Sequence, residues 1–130
     1  MKVVDRNKFV NYLLAIQGIY SLVTALWGLA DIDSFMEVTG PKTDVWLVKT
    51  VSVLIIPIAF CLISAIYIKN SLMPVAVVGL TSALGLGFID FYYAINDVIS
   101  DVYLGDGFMQ LFFVISWMFA FPQLKKERIE

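Results

Sequence analysis

The chain has 130 residues, 60% of them hydrophobic and only 15% charged, with a formal net charge of −2, one cysteine and no histidine. A soluble domain carries nearer 25% charged residues, so this composition excludes an ordinary soluble globule. The lack of a long basic run excludes a nucleic-acid partner, and the lack of histidine removes the commonest general base and the commonest transition-metal ligand. No cofactor or metal site is read from the chain, and the lone Cys61, inside an apolar run, is expected to be inert.

Four apolar runs, Phe9–Ala30, Trp46–Ile68, Met73–Asn96 and Val102–Phe121, fill most of the length. A hydrocarbon core about 30 Å thick is crossed by about 20 helical residues, and each run is near that length. The predicted fold is therefore all-α: an antiparallel, up-down four-helix transmembrane bundle forming a single domain over 1–130. The third span reaches position 97 at its outer limit. The first run is too long for a signal-peptide core and is read as a true span.

Span one carries Gln17, Tyr20 or Ser21, Thr24 and Trp27 at helical spacing, a mildly polar stripe expected to face protein rather than lipid. The connector after it contains Ser34-Phe35-Met36-Glu37, which fits a capping box. It predicts a short interfacial helix over 34–39, stopped by Gly40-Pro41. Thr43 or Asp44 is expected to cap span two.

Span two holds Lys49 one turn below its start and Pro57 mid-span, where a kink is expected. The turn Lys69-Asn70-Ser71 is tight, making spans two and three antiparallel neighbours, and Pro74 suits a first helical turn. Gly79, Ala83, Gly85 and Gly87 give span three a small-residue face for close packing. Span four starts near Val102, which puts Asp106 one turn inside the membrane, or at Gly107, which makes Asp106 a cap. Pro122 is taken as the exit.

The basic residues sort by side. Lys2, Arg6, Lys8, Lys69, Lys125, Lys126 and Arg128 fall on one side, and only Lys42 and Lys49 on or near the other. The positive-inside rule then places both termini in the cytoplasm. Asp31, Asp33, Glu37, Asp44, Asp97, Asp101 and Asp106 make the opposite edge acidic, as solvated loop charge or as a cation-attracting vestibule.

Asp90 demands an account. A carboxylate in mid-span costs about 2.5–3.5 kcal/mol, so it should face the bundle interior and find partners. Lys49 is the candidate counter-ion, with Gln17, Thr50, Tyr93 and Gln110 as hydrogen-bonding groups and Asp97 on the same face near the rim. As a structural pair, Lys49 and Asp90 fix bundle register. As a functional pair, they form the polar handle of a ligand pocket lined by Gln17, Tyr93, Trp46 and Asp106. No catalytic set is read.

The segment Thr39-Gly40-Pro41-Lys42-Thr43-Asp44-Val45-Trp46-Leu47-Val48-Lys49-Thr50-Val51 resembles one found in bacterial four-span membrane proteins. The layout is similar to the DoxX-like group of small four-helix membrane proteins. The resemblance implies the bacterial inner (cytoplasmic) membrane and brings no activity with it.

The function expected is a small non-enzymatic membrane protein whose outward-facing pocket binds or moves a small apolar or amphiphilic molecule. A structural subunit of a membrane complex is the alternative, and an enzyme acting on a lipid or quinone is the third class; four spans are few for a transporter pore, so a homodimer or a membrane-complex partner is expected. A cavity of about 300 Å³ or more favours the pocket. A filled core with small residues facing lipid favours the subunit.

Overall fold

The computed structural model describes residues 8–68 and 72–129, with side chains up to residue 126. These residues form five helices: α1 (Lys8–Ala30), α2 (Ile32–Thr39), α3 (Val45–Ala65), α4 (Met73–Ile95) and α5 (Val102–Ile129). Four of them, Lys8–Ala30, Val45–Ala65, Met73–Ile95 and Val102–Lys126, are long and apolar enough to cross a bilayer, which makes the chain a multi-pass membrane protein by length and composition. The all-α bundle expected from the sequence is the fold found. The expected turn at 69–71 and the side chains of Lys2, Arg6, Lys69 and Arg128 lie outside the described residues.

Small residues decide which helices meet. On α1, a Cβ at Gly18 would lie 2.6 Å from Ile63 Cγ1, and one at Gly28 would lie 2.7 Å from Ser52 Oγ. Those two close approaches let α1 and α3 run side by side, antiparallel, along most of their length. On α4 the buried row is Ala76, Gly79, Ala83, Gly87, Asp90 and Ala94, spaced by three or four residues. That row faces α5, where Trp117 sits against Gly79 and Gln110 against Gly87. The molecule is thus two tight pairs, α1 with α3 and α4 with α5. Contact between α3 and α4 is sparse, so the close pairing expected for spans two and three is not found.

The core lies at the end of the bundle where α1 begins. Val10, Leu13, Leu14, Leu62, Ala65, Leu72, Ala76, Phe113, Trp117, Ala120 and Leu124 fill it. Leu124 explains why α5 does not stop at Pro122. Its burial holds the helix on course through the proline, which is inside α5 rather than at its exit. With 28 residues, α5 is about 42 Å long, beyond the hydrocarbon core.

Several helix ends differ from expectation. The N-cap of α2 is Asp31, whose carboxylate accepts from Ser34 N–H at 3.3 Å, so the helix begins at Ile32 and Ser34 lies within it. Its stop at Gly40, with φ 98°, is where the Gly-Pro pair put it. Asp44 precedes α3 without a side-chain cap bond. Pro57 is accommodated inside unbroken α3, and Pro74 lies in the first turn of α4. Helix α4 ends at Ile95, and Asp97 takes φ 57° in the turn beyond it. That left-handed residue is exposed and cannot continue the face that carries Asp90.

Two contrasting glycine environments on α4 give a paired prediction. At Gly79 a Cβ would lie 2.5–2.8 Å from three indole atoms of Trp117, whereas at Gly85 it would meet nothing within 4 Å. Gly79→Val is expected to lose about 1–3 kcal/mol through overpacking. Gly85→Ala is expected to be neutral or to gain up to about 1 kcal/mol of helix propensity. Thermal unfolding in detergent micelles compares them, and equal midpoints for both variants contradict this packing.

Candidate functional site

The seam between α1 and α5 is closed near mid-membrane and open toward α2. Phe113, fully buried, meets the Tyr20 ring edge-on with centroids 5.7 Å apart. Beyond that contact lies a cavity of about 740 Å³. Ile16, Ile19 and Val23 of α1, Val102 and Met109 of α5 and Val38 of α2 supply its apolar walls. Its polar wall groups include Tyr20, Thr24, Tyr103 and Asp106. From Ala15 to Trp27, the α1 wall is about 18 Å long at helical rise.

Helix α2 forms the roof and is pinned from both sides. Trp27 Nε1 donates to Ser34 Oγ at 2.8 Å, and the Trp27 and Phe35 rings meet edge-on at 5.2 Å. At its other end, Lys42 Nζ donates to Thr39 Oγ1 at 2.9 Å and to the Gly40 carbonyl at 3.1 Å. The same ammonium lies 5.6 Å from the Phe35 centroid and 5.1 Å from that of Tyr103. Such cation–π contacts tie α2 to α5 over the cavity mouth.

One wall carries the acidic chemistry. The Tyr20 hydroxyl donates to Asp106 Oδ1. Gln110 Nε2 approaches the same oxygen at 3.4 Å, one turn along α5. Asp90 is 5% exposed and lies against Asp106, carboxyl to carboxyl, with its Oδ2 buried and without a hydrogen-bond partner. Its place in the small-residue row of α4 explains the meeting: Gly87, one turn away, lets α5 approach closely enough to bring Asp106 across.

The six residues singled out from sequence separate into three groups. Asp90 and Asp106 come together. Gln17, 2% exposed, is a structural bridge: Nε2 donates to the Gly79 carbonyl at 2.8 Å, and Oε1 accepts from Trp117 Nε1 at 2.6 Å. Lys49, Trp46 and Tyr93 stand apart from the acidic pair on exposed faces of α3 and α4, Trp46 at 65% exposure. The expected Lys49–Asp90 ion pair is not formed. Ser52, Ala59 and Leu62 form the face α3 turns to α1, Lys49 falls beside that face, and α3 scarcely reaches α4.

Tyr20, Tyr103 and Lys42 were not among those six. Tyr20 was nonetheless legible, because it continues the Gln17 stripe of α1. Tyr103 and Lys42 meet only through tertiary packing, and no spacing in the sequence links them.

Two mutant cycles test these assignments. Asp90→Asn and Lys49→Met are expected to be additive in thermal stability, since the two side chains do not interact. Gln17→Met and Trp117→Phe are expected to be non-additive, each alone leaving a buried partner unmet at about 1–3 kcal/mol. Coupling in the first cycle, or its absence in the second, contradicts the geometry. Comparison with known proteins adds no relative to these observations: no family model, curated protein or solved structure matches the chain.

Proposed function

We propose that this is a binding protein of the membrane, holding a small apolar or amphiphilic molecule in the cavity between α1, α2 and α5. The observation that carries the reading is the cavity itself. Its 740 Å³ lies within the range of small-molecule pockets, and its walls are apolar apart from a few convergent polar groups. The small-residue row of α4 supports the same choice over a structural subunit, because it is used inside the bundle against α5 and not presented to lipid. The site proposed here is centred on Asp106 and Tyr20, with Asp90 behind them; Lys49, Trp46 and Tyr93 are not part of it.

The distribution of basic residues supports an inner-membrane orientation with both termini cytoplasmic and α2 on the opposite surface. A DoxX-like, bacterial origin accords with the four-span layout and belongs to the same proposal.

Gly105 gives the test. It lines the cavity, and a Cβ there meets nothing within 4 Å, so a large side chain enters empty space without displacing backbone. Gly105→Phe should fill the pocket while keeping the fold, since replacing a helical glycine removes a propensity cost of about 1 kcal/mol. With the neutral fluorophore 1-N-phenylnaphthylamine as probe, the unmodified protein should show saturable binding. Gly105→Phe should weaken it roughly tenfold or more, because the inserted ring overpacks the space the probe needs at a cost of about 1–3 kcal/mol. Undiminished saturable binding by Gly105→Phe overturns the pocket.

A further inference from the structure

Asp106 on the cavity wall and Asp90 behind it have no counter-charge among the described residues. Tyr20 comes from α1, Asp90 from α4, and Asp106 with Gln110 from α5. None of these is basic. Lys42 is nearest to the cavity, but its ammonium is committed at the mouth to Thr39 and Gly40 and to two aromatic faces. Lys49 is exposed on α3. Buried acids in a hydrocarbon environment are stable only when paired or neutralised. Here Asp106 opens onto a cavity, and Asp90 behind it is 5% exposed with one oxygen that has no hydrogen-bond partner.

A proton shared between the two carboxyls cancels one charge and leaves one, which an inorganic or an organic cation can meet. A hard metal ion takes six or more oxygen ligands, whereas this wall offers the Asp106 carboxyl and the Tyr20 phenol in apolar surroundings, with the Asp90 carboxyl and the Gln110 amide behind them. A protonated primary amine carries three donors and one charge, and its chain matches the apolar walls. The Tyr20 hydroxyl already donates to Asp106, so the wall presents acceptors and aromatic faces to a ligand, both suited to an ammonium.

Resting on the pocket reading above, we infer that the cavity selects long-chain amphiphiles with a protonated amine head. The head lies at Asp106 beside Tyr20, with Asp90 behind them as a further negative group that the ligand does not touch. The tail runs along Ile16, Ile19, Val23 and Met109.

The test uses the full chain in phosphatidylcholine nanodiscs, with empty nanodiscs to correct for partitioning. Dodecylamine, dodecanol and dodecanoate, which share one chain length, compete with bound 1-N-phenylnaphthylamine at neutral pH. The amine should displace the probe at concentrations about tenfold or more below those of dodecanoate and dodecanol, the scale of one charge-assisted hydrogen bond. Asp106→Asn should abolish that preference, and Asp106→Glu, which keeps the carboxylate, should restore it in part. The ranking on the unmodified protein is decisive even where Asp106→Asn fails to fold. If dodecanol or dodecanoate competes as well as the amine, the head-group assignment is wrong, while sensitivity of the probe to Gly105→Phe leaves the pocket standing. If the probe ignores Gly105→Phe, the pocket falls and this inference with it.

Discussion

One buried amide holds the two halves of the bundle together. Gln17 of α1 reaches both the Gly79 carbonyl of α4 and the indole N–H of Trp117 on α5. Apart from it and the Tyr20–Asp106 hydrogen bond, α1 with α3 and α4 with α5 are two close pairs joined mainly by shape. Lipid tails are as apolar as leucine, so hydrophobic burial gives little reason for one pair to prefer the other. A polar group that hydrocarbon cannot satisfy gives a specific reason. The Gly79 carbonyl accepts from Gln17 and also from Ser82 Oγ at 3.2 Å, and Trp117 reaches Gln17 because Gly79 leaves room for the indole. A single glycine thus supplies both the acceptor and the space.

That junction also sets where the seam opens. Around Gln17, Phe113 and Trp117 fill the space between α1 and α5. Toward α2 the row breaks on α5, which presents Asp106 and Gly105 where Phe113 and Trp117 stand deeper in the seam. The cavity is therefore a consequence of side-chain size along a seam whose spacing is fixed elsewhere. Asp90 comes to lie behind Asp106 because it occupies a position in the small-residue row of α4 that otherwise holds alanine and glycine. The row brings backbones close, and the one acid within it lands beside the neighbouring helix.

Much of this was legible without coordinates. The spans follow from apolar length, the stop of α2 from Gly40-Pro41, and the burial of Gln17 from the polar stripe of α1. The burial of Asp90 follows from the cost of leaving it in lipid. Its partner was not legible. Chain adjacency and a long flexible stem favoured Lys49, but adjacency in sequence does not bring α3 close to α4. The choice of neighbours is made by glycine positions on two different helices, Gly18 and Gly28 on α1 and Gly79 and Gly87 on α4, and only their joint geometry selects α5 as the helix that meets Asp90. Pro122 failed as a stop signal for a related reason. A local breaker was overridden by the burial of Leu124 two residues later.

The roof and the walls together decide how anything reaches the cavity. Helix α2 is anchored to α1 through Trp27 and Ser34, and to α5 through Lys42 and Tyr103. These contacts close the water-facing end with aromatic rings and a committed ammonium. The side of the cavity is different: Ile16, Ile19, Val23 and Val102 line it and are also exposed on the outer surface of the bundle. That opening is flanked by apolar side chains at membrane depth, so its natural solvent is hydrocarbon. A molecule entering there leaves lipid only with the part that needs another environment. An apolar tail gains little by exchanging acyl chains for isoleucine and valine, because the two are equivalent solvents. A polar head gains much by exchanging hydrocarbon for Asp106 and Tyr20. Selectivity in such a site lies in the head group, and the chain sets only how deep the head can sit.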